Sequence, residues 1–320
     1  MQLQNIDKMT PNLICVLGHT AAGKTAFAAL LADKLKGEII SADSRQVYRY
    51  MDIGTGKDLE DFTVKGKKIP YHLIDIVDPG YEYNVYEFQK DFLSAFHQIT
   101  SKGNLPILCG GTGMYIEAVL KGYKLINVPK DLVLRERLSQ LSHAELVNKL
   151  KSYKNLHNIT DTGNRKRLTR ALEIEDFYSR HPDLNTDYPA LRYTLIGIRF
   201  DRESRRTRIT KRLENRLQSG MIEETKRLME MGISEDKLVY YGLEYKFLAW
   251  YLSGKLTYKE MFEQLNTAIH RYAKRQMTWF RKMEREGFNI HWLDGHLSNE
   301  ERLEISCKII QNFKYGEEKA

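Results

Sequence analysis

The sequence predicts an α/β fold, a mostly parallel sheet flanked by helices, and three observations point to it. Short, nearly continuous apolar runs recur along the chain, as strands buried on both faces require. Between them lie segments in which apolar residues return every three or four positions, the spacing of helices that cover such a sheet. With 320 residues, 42% hydrophobic and 29% charged, the chain is long enough for a large core and a smaller partner.

The first apolar run, residues 13–17 (LICVL), feeds a Gly-rich turn, after which residues 25–35 carry a helical pattern. Further strands are expected at 38–42 (EIISA), 71–77 (YHLIDIV), 105–109 (LPILC), 193–198 (YTLIGI) and 289–293 (NIHWL). The alternation lapses at 121–164 and at 213–270, where charged helical patterns run without a strand. The expected organisation is therefore a discontinuous core of 1–120, 165–212 and 271–320 with helical insertions at 121–164 and 213–270. Residues 315–320 read as a frayed tail.

Lys and Arg total 50 against 42 Asp and Glu, and this balance of +8 permits a polyanionic partner without identifying one. Cys15 and Cys109 lie inside apolar runs and Cys307 stands alone near the end, which gives neither a disulfide framework nor zinc-ligand spacing. No apolar stretch reaches membrane-spanning length, and no apolar leader precedes Leu13. A reducing, cytoplasmic setting with no membrane partner is the expectation.

Gly18-His19-Thr20-Ala21-Ala22-Gly23-Lys24-Thr25 fits G-x-x-x-x-G-K-[ST] between a strand and a helix, the context that gives the motif meaning. Glycines let backbone N–H groups turn onto phosphate oxygens, and the helix N-terminus adds positive potential. Lys24 supplies a cation, and the Thr25 hydroxyl can ligate Mg2+. The expected fold is thus a P-loop-containing parallel sheet. Kinases, NTPases and transferases share the loop, so its neighbours must select the chemistry.

The second strand delivers Asp43-Ser44-Arg45-Gln46. In a parallel sheet the C-terminal strand ends line the ligand crevice, so Asp43 is expected near the bound phosphates. Two readings stand for it: a proton acceptor or water-mediated magnesium ligand, and a cap for the next helix.

GHTAAGKT, DSRQVY, MDIGTGK, HLIDIVDP, GGTGMYIEAVL, NRKRLTRALEI and AKRQMTWFRK follow one another over roughly residues 13–294. In that order they resemble the tRNA dimethylallyltransferase family, also called the tRNA isopentenyltransferase family, of bacterial type. The resemblance implies transfer of the dimethylallyl group from dimethylallyl diphosphate to the N6 amine of the adenosine beside the anticodon in tRNA. It assigns the loop of Gly18 to Thr25 to the diphosphate and Asp43 to the general base. Ser44, Arg45 and Gln46 would contact the flipped-out nucleotide and its neighbours, and Thr112 would line the substrate channel.

Arg208 and Arg212 are i and i+4 on one predicted helix face. By resemblance one of them meets the diphosphate opposite the phosphate loop, with Arg212 the first choice and Arg208 the second. Such a cation stabilises charge growing on the leaving oxygens. The resemblance also implies RNA contacts at Arg135 and at Lys166, Arg167, Leu168, Thr169 and Arg170. Lys274 and Arg275 join them, from a stretch that interleaves basic residues with aromatics. The alternatives are a simple helix-surface charge for Arg135 and a solvated helix face for the charge runs, and Tyr272, Met277, Trp279 and Phe280 also fit a buried stripe.

The family shows a Gly-Tyr-basic RNA-contact element. Here the chain reads Val239-Tyr240-Tyr241-Gly242-Leu243-Glu244-Tyr245-Lys246: aligning Tyr245 and Lys246 puts Glu244 in the place of glycine, while aligning Gly242 loses the Tyr-basic pair that follows. The partners expected are the tRNA anticodon stem-loop, dimethylallyl diphosphate and Mg2+, with the enzyme a monomer. Competing readings are prenylation of free adenine nucleotides, a P-loop kinase or NTPase, and a non-enzymatic RNA-binding module. The basic stretches favour tRNA, and the last reading leaves the phosphate loop and Asp43 unexplained.

Overall fold

A computed structural model describes residues 10–153, 162–181 and 188–313. Residues 154–161 of the first expected insertion and the expected tail at 315–320 lie outside them. The described residues fall into two compact units, within Met1–Tyr123 plus Ala190–Ala320 and within Lys124–Pro189.

The chain runs β1 (Leu13–Gly18), α1 (Lys24–Leu35), β2 (Gly37–Ser41), the short pair β3 (Thr63–Val64) and β4 (Lys67–Lys68), β5 (Tyr71–His72), α2 (Val85–Ser101), β6 (Leu105–Gly110) and α3 (Gly113–Leu120). In the second unit follow α4 (Leu132–Ser139), α5 (His143–Tyr153) and α6 (Arg165–Arg180). The first unit resumes with β7 (Tyr193–Arg199), α7 (Arg202–Gln218), α8 (Met221–Glu230), α9 (Glu235–Tyr241), α10 (Leu243–Leu252), α11 (Tyr258–Arg285), β8 (Ile290–Asp294) and α12 (Asn299–Gln311).

Six strands form one sheet in the order β5-β2-β6-β1-β7-β8, and every neighbouring pair is parallel. Strand alternation sorts its side chains into two cores. Ile14, Val16, Ile107, Ile196 and Ile198 pack with Phe27 and Leu31 of α1 and with Leu303 and Ile309 of α12. Leu13, Cys15, Leu17, Leu108 and Leu195 pack on the other face with Phe88 and Phe92 of α2, Ile116 of α3 and Phe280 of α11. A sheet covered on both sides needs apolar residues at every position, which is why the strands read as unbroken runs. The helices that cover it start on sequence signals: capping boxes of Asn84 with Glu87 at α2 and Thr257 with Glu260 at α11.

The strand expected at 71–77 ends at His72. Leu73 (φ 62°) and Asp75 (φ 56°) adopt left-handed backbone, which breaks the pleat. The segment turns to the loop after β2, where the Asp75 N–H donates to Gln46 O (3.1 Å) and the Ile76 N–H to Val47 O (2.8 Å). An apolar run read as sheet is thereby a brace for the loop that carries Asp43.

The helical stretches also divide differently from expectation. Residues 165–189 belong to the second unit, because Leu168, Ala171 and Leu172 of α6 close a core with Leu138, Leu146 and Leu150. Residues 213–270 belong to the first unit, where Leu213, Leu217, Met221, Leu248 and Leu265 share a core with Ile269 of α11. Among the described residues, no helix is long and apolar enough to cross a membrane.

Candidate active site

Adjacent strands β1, β2 and β6 end at Gly18, Ser41 and Gly110, and the loops beyond them meet. After β1 the chain turns through Gly18 (φ 151°), where a Cβ would stand 2.5 Å from Ile198 O, so only glycine fits. The loop then enters α1 at Lys24. Its Lys24 Nζ donates to His19 O (2.8 Å). Burial, aided by the nearby Arg212 charge, lowers the Lys24 ammonium to about 8. The His19 side chain is fully buried, and its Nδ1 bonds Thr20 O (2.7 Å), so it braces the loop from inside the fold. Burial lowers His19 to about 4, and Lys24, Arg205 and Arg208 push the same way, so the ring is neutral at pH 7.

After β2, Asp43 Oδ1 accepts the Arg45 N–H (2.9 Å), and Thr112 Oγ1 accepts the Ser44 N–H (3.2 Å). Gln46 joins β2 to the next loop, with Ser41 Oγ on its Oε1 (2.8 Å) and its Nε2 donating to Gly56 O (3.1 Å). Asp43 is thus held in a short side-chain turn whose second oxygen is left for other chemistry.

Across from the phosphate loop stands α7. Arg208 Nε donates to Ala21 O (3.0 Å), while Arg212 reaches Thr20 Oγ1 (3.4 Å) and pairs with Asp58 Oδ2 (2.7 Å). Ala21 to Thr25, Arg208, Lys211, Arg212 and Asp58 line a mouth of about 390 Å³. A neighbouring cavity of about 480 Å³ is lined by Lys24, Thr25, Asp43, Arg45, Gln46, Arg212 and Glu244. Lys24, Thr25 and Arg212 line both, so an anion at the loop and an acceptor beside Asp43 would share one chamber.

Gln276 and Glu224 escaped the sequence reading. Gln276 of α11 accepts the Thr20 N–H (2.8 Å) and donates to Gly111 O (2.9 Å), stapling the phosphate loop to the turn after β6. Buried Glu224 of α8 accepts the N–H groups of Asp52 (2.9 Å), Ile53 (2.8 Å) and Gly54 (3.0 Å) and the Tyr245 hydroxyl (2.7 Å). The only sequence signal was a polar residue at an inward helical position; the partners lie far along the chain.

The residues expected to contact RNA divide. Tyr245 is a correction: it is 1% exposed with its hydroxyl on Glu224, so it secures the Asp52–Gly54 backbone from inside the fold. Leu168 is another, fully buried in the core of the second unit because it lies on the inward face of α6. Arg135 grips buried Glu173 with two hydrogen bonds (2.5 and 2.7 Å), and Arg170 takes the same carboxylate (3.1 Å). Lys166 and Arg167 are exposed and Thr169 is half-buried. In the first unit Lys246 lies 4.5 Å from the Trp250 ring, Lys274 is exposed, and Arg275 lines the larger cavity. The aromatics also split: Met277 and Phe280 are core, Trp279 is half-buried, and Tyr272 stands in the cavity wall.

Among the described residues, no group of three or more His, Cys, Asp or Glu side chains could hold a metal ion. Magnesium needs no such cage when phosphate oxygens and waters complete its shell, so the Thr25 hydroxyl, with Asp43 in the same chamber, fits it. Asp75 and Asp78 are engaged elsewhere, with Lys57 and Arg49.

The IPP transferase family model matches residues 46–283. The tRNA dimethylallyltransferase 2 of Bacteroides fragilis is 58% identical over 302 residues, 94% of this chain and 99% of that one. The crystal structure of the full-length tRNA isopentenylpyrophosphate transferase from Bacillus halodurans aligns with a TM-score of 0.68 at 34% identity, covering 93% of this chain and 95% of that one. A eukaryotic dimethylallyltransferase acting on tRNA shares the fold, with a TM-score of 0.77 at 22% identity over 96% of this chain and 81% of its own. With its phosphate loop, Asp43 turn and facing arginines in one chamber, the chain belongs to the IPP transferase family.

Proposed function

We propose that this chain is a tRNA dimethylallyltransferase that moves the dimethylallyl group from dimethylallyl diphosphate to the N6 amine of the adenosine adjacent to the anticodon. The observation that carries the reading is the shared chamber, in which Lys24 and Arg212 stand near Asp43. The loop backbone, Lys24 and Arg212, with Arg208 behind it, hold the diphosphate. The N6 lone pair forms a bond to the first prenyl carbon, the bond from that carbon to the diphosphate oxygen breaks, and the amine proton passes to the Asp43 carboxylate. Negative charge grows on the leaving oxygens, where Lys24 and Arg212 stabilise it. Magnesium held at Thr25 would supply further charge neutralisation there.

The adenine must leave its stack to reach Asp43. Ser44, Arg45, Gln46 and Thr112 are the groups beside it, and Lys166, Arg167, Lys246, Lys274 and Arg275 are the basic groups suited to the RNA backbone. The enzyme acts on tRNA in the cytoplasm, as a monomer.

The test is transfer of label from prenyl-labelled dimethylallyl diphosphate, with magnesium, to unmodified tRNA, to AMP or to no acceptor. Label in tRNA alone is expected. Label in AMP at equal efficiency would make the chain a nucleotide prenyltransferase, and no label in either with ATP hydrolysed would overturn the reading.

A further inference from the structure

Arg208, Arg212 and Arg216 recur at four-residue intervals on α7, which aligns them on one face of the helix. The first two have partners on the phosphate loop, Ala21 O and Thr20 Oγ1. Arg216 has none there. Its side chain is 13% exposed, and the Asp58 carboxylate oxygen beside it lies 3.7 Å from its Nη2, beyond hydrogen-bond reach. Its Nε and Nη2 are buried without a hydrogen-bond partner among the described residues.

The fold makes room for this group. Gly56 (φ 71°) packs against it so closely that a Cβ there would stand 1.9 Å from Arg216 Nη2. Two buried guanidinium N–H groups without acceptors, beside only a long 3.7 Å ion pair to Asp58, are unfavourable, so such a placement suits a site whose acceptor oxygens arrive with a ligand. Two linings say which ligand. Arg216 shares the larger cavity with Lys24, Thr25 and Arg212, and it shares a narrow cleft with Thr20, Ala21, Arg212 and Glu244. Glu244 is a carboxylate in the first turn of α10. Burial raises the Glu244 pKa, while the Arg216 charge pulls it back toward the anion.

We propose that Arg216 is a third guanidinium for the leaving diphosphate, and that the Asp58 and Glu244 carboxylates beside it balance its charge until diphosphate oxygens arrive. The inference rests on the prenyl-transfer reading and deepens it. Arg216 would touch the substrate; Glu244 is a positioning residue.

The experiment compares wild type with Arg216→Ala, Arg216→Lys and Glu244→Gln. It reads inhibition by inorganic pyrophosphate, KM for each substrate, Tm, and direct pyrophosphate binding by calorimetry. Loss of a charge-assisted contact predicts that Arg216→Ala weakens pyrophosphate binding and raises KM for dimethylallyl diphosphate about tenfold or more. KM for tRNA should stay within about twofold, and Arg216→Lys should restore part of the loss by keeping the charge. Glu244→Gln, which removes the competitor and keeps the shape, should tighten pyrophosphate severalfold. Unchanged pyrophosphate binding in Arg216→Ala overturns the proposal, as does a shift confined to KM for tRNA or to Tm. Failure of wild type to transfer label to tRNA would instead sink the parent reading, and calorimetry would still test Arg216.

Discussion

At the scale of single residues, the site is a set of charges held in tension. Lys24, lowered to about 8 by burial and by Arg212, is a cation at neutral pH that loses its proton just above it. The protonated form attracts phosphate, so affinity is full below this value and falls as pH rises through it. KM for dimethylallyl diphosphate should therefore rise toward about tenfold between pH 7 and pH 9, measured with tRNA saturating. A flat profile would mean that Lys24 stays charged throughout. The residue types at this site were legible in the sequence because the phosphate loop is local: eight consecutive residues carry the motif. Arg216 was not, since nothing in ENRLQSG distinguishes an inward arginine from a solvated one.

At the scale of elements, loops carry the chemistry and distant helices hold the loops. Strands β1, β2, β6, β7 and β8 were readable as apolar runs because both sheet faces are covered. The run at 71–77 misled because left-handed backbone at Leu73 and Asp75 depends on tertiary pairing with Gln46 and Val47, which no local pattern records. The same reason hid Gln276 and Glu224, each of which acts on a loop more than a hundred residues away. Glu224→Ala would leave three backbone N–H groups and the Tyr245 hydroxyl without their acceptor. A loss of at least ~3 kcal/mol is expected, seen as a lower midpoint in urea unfolding. A variant as stable as wild type would show that this carboxylate does not organise the loop.

At the scale of the whole molecule, a parallel sheet brings three strand ends together, and helices α7, α9, α10 and α11 of the first unit line the chamber beside them. Its architecture was legible in the alternation of runs and periodic segments. The partition of the helical stretches was not, because amphipathic helices do not declare in sequence which core they will join: α6 closes a core of its own, while α8 and α10 join the first unit. The central claim is that this chamber holds the diphosphate at one end and takes the acceptor's proton at the other. Asp43→Asn tests it most directly. The amide oxygen can still accept the Arg45 N–H, so the turn survives while the base is removed. Single-turnover transfer of labelled prenyl group to tRNA should fall by about 10²–10⁴, with tRNA affinity, measured in parallel, essentially unchanged. Transfer at the wild-type rate would contradict the assignment of Asp43, and with it the account of how the chamber works.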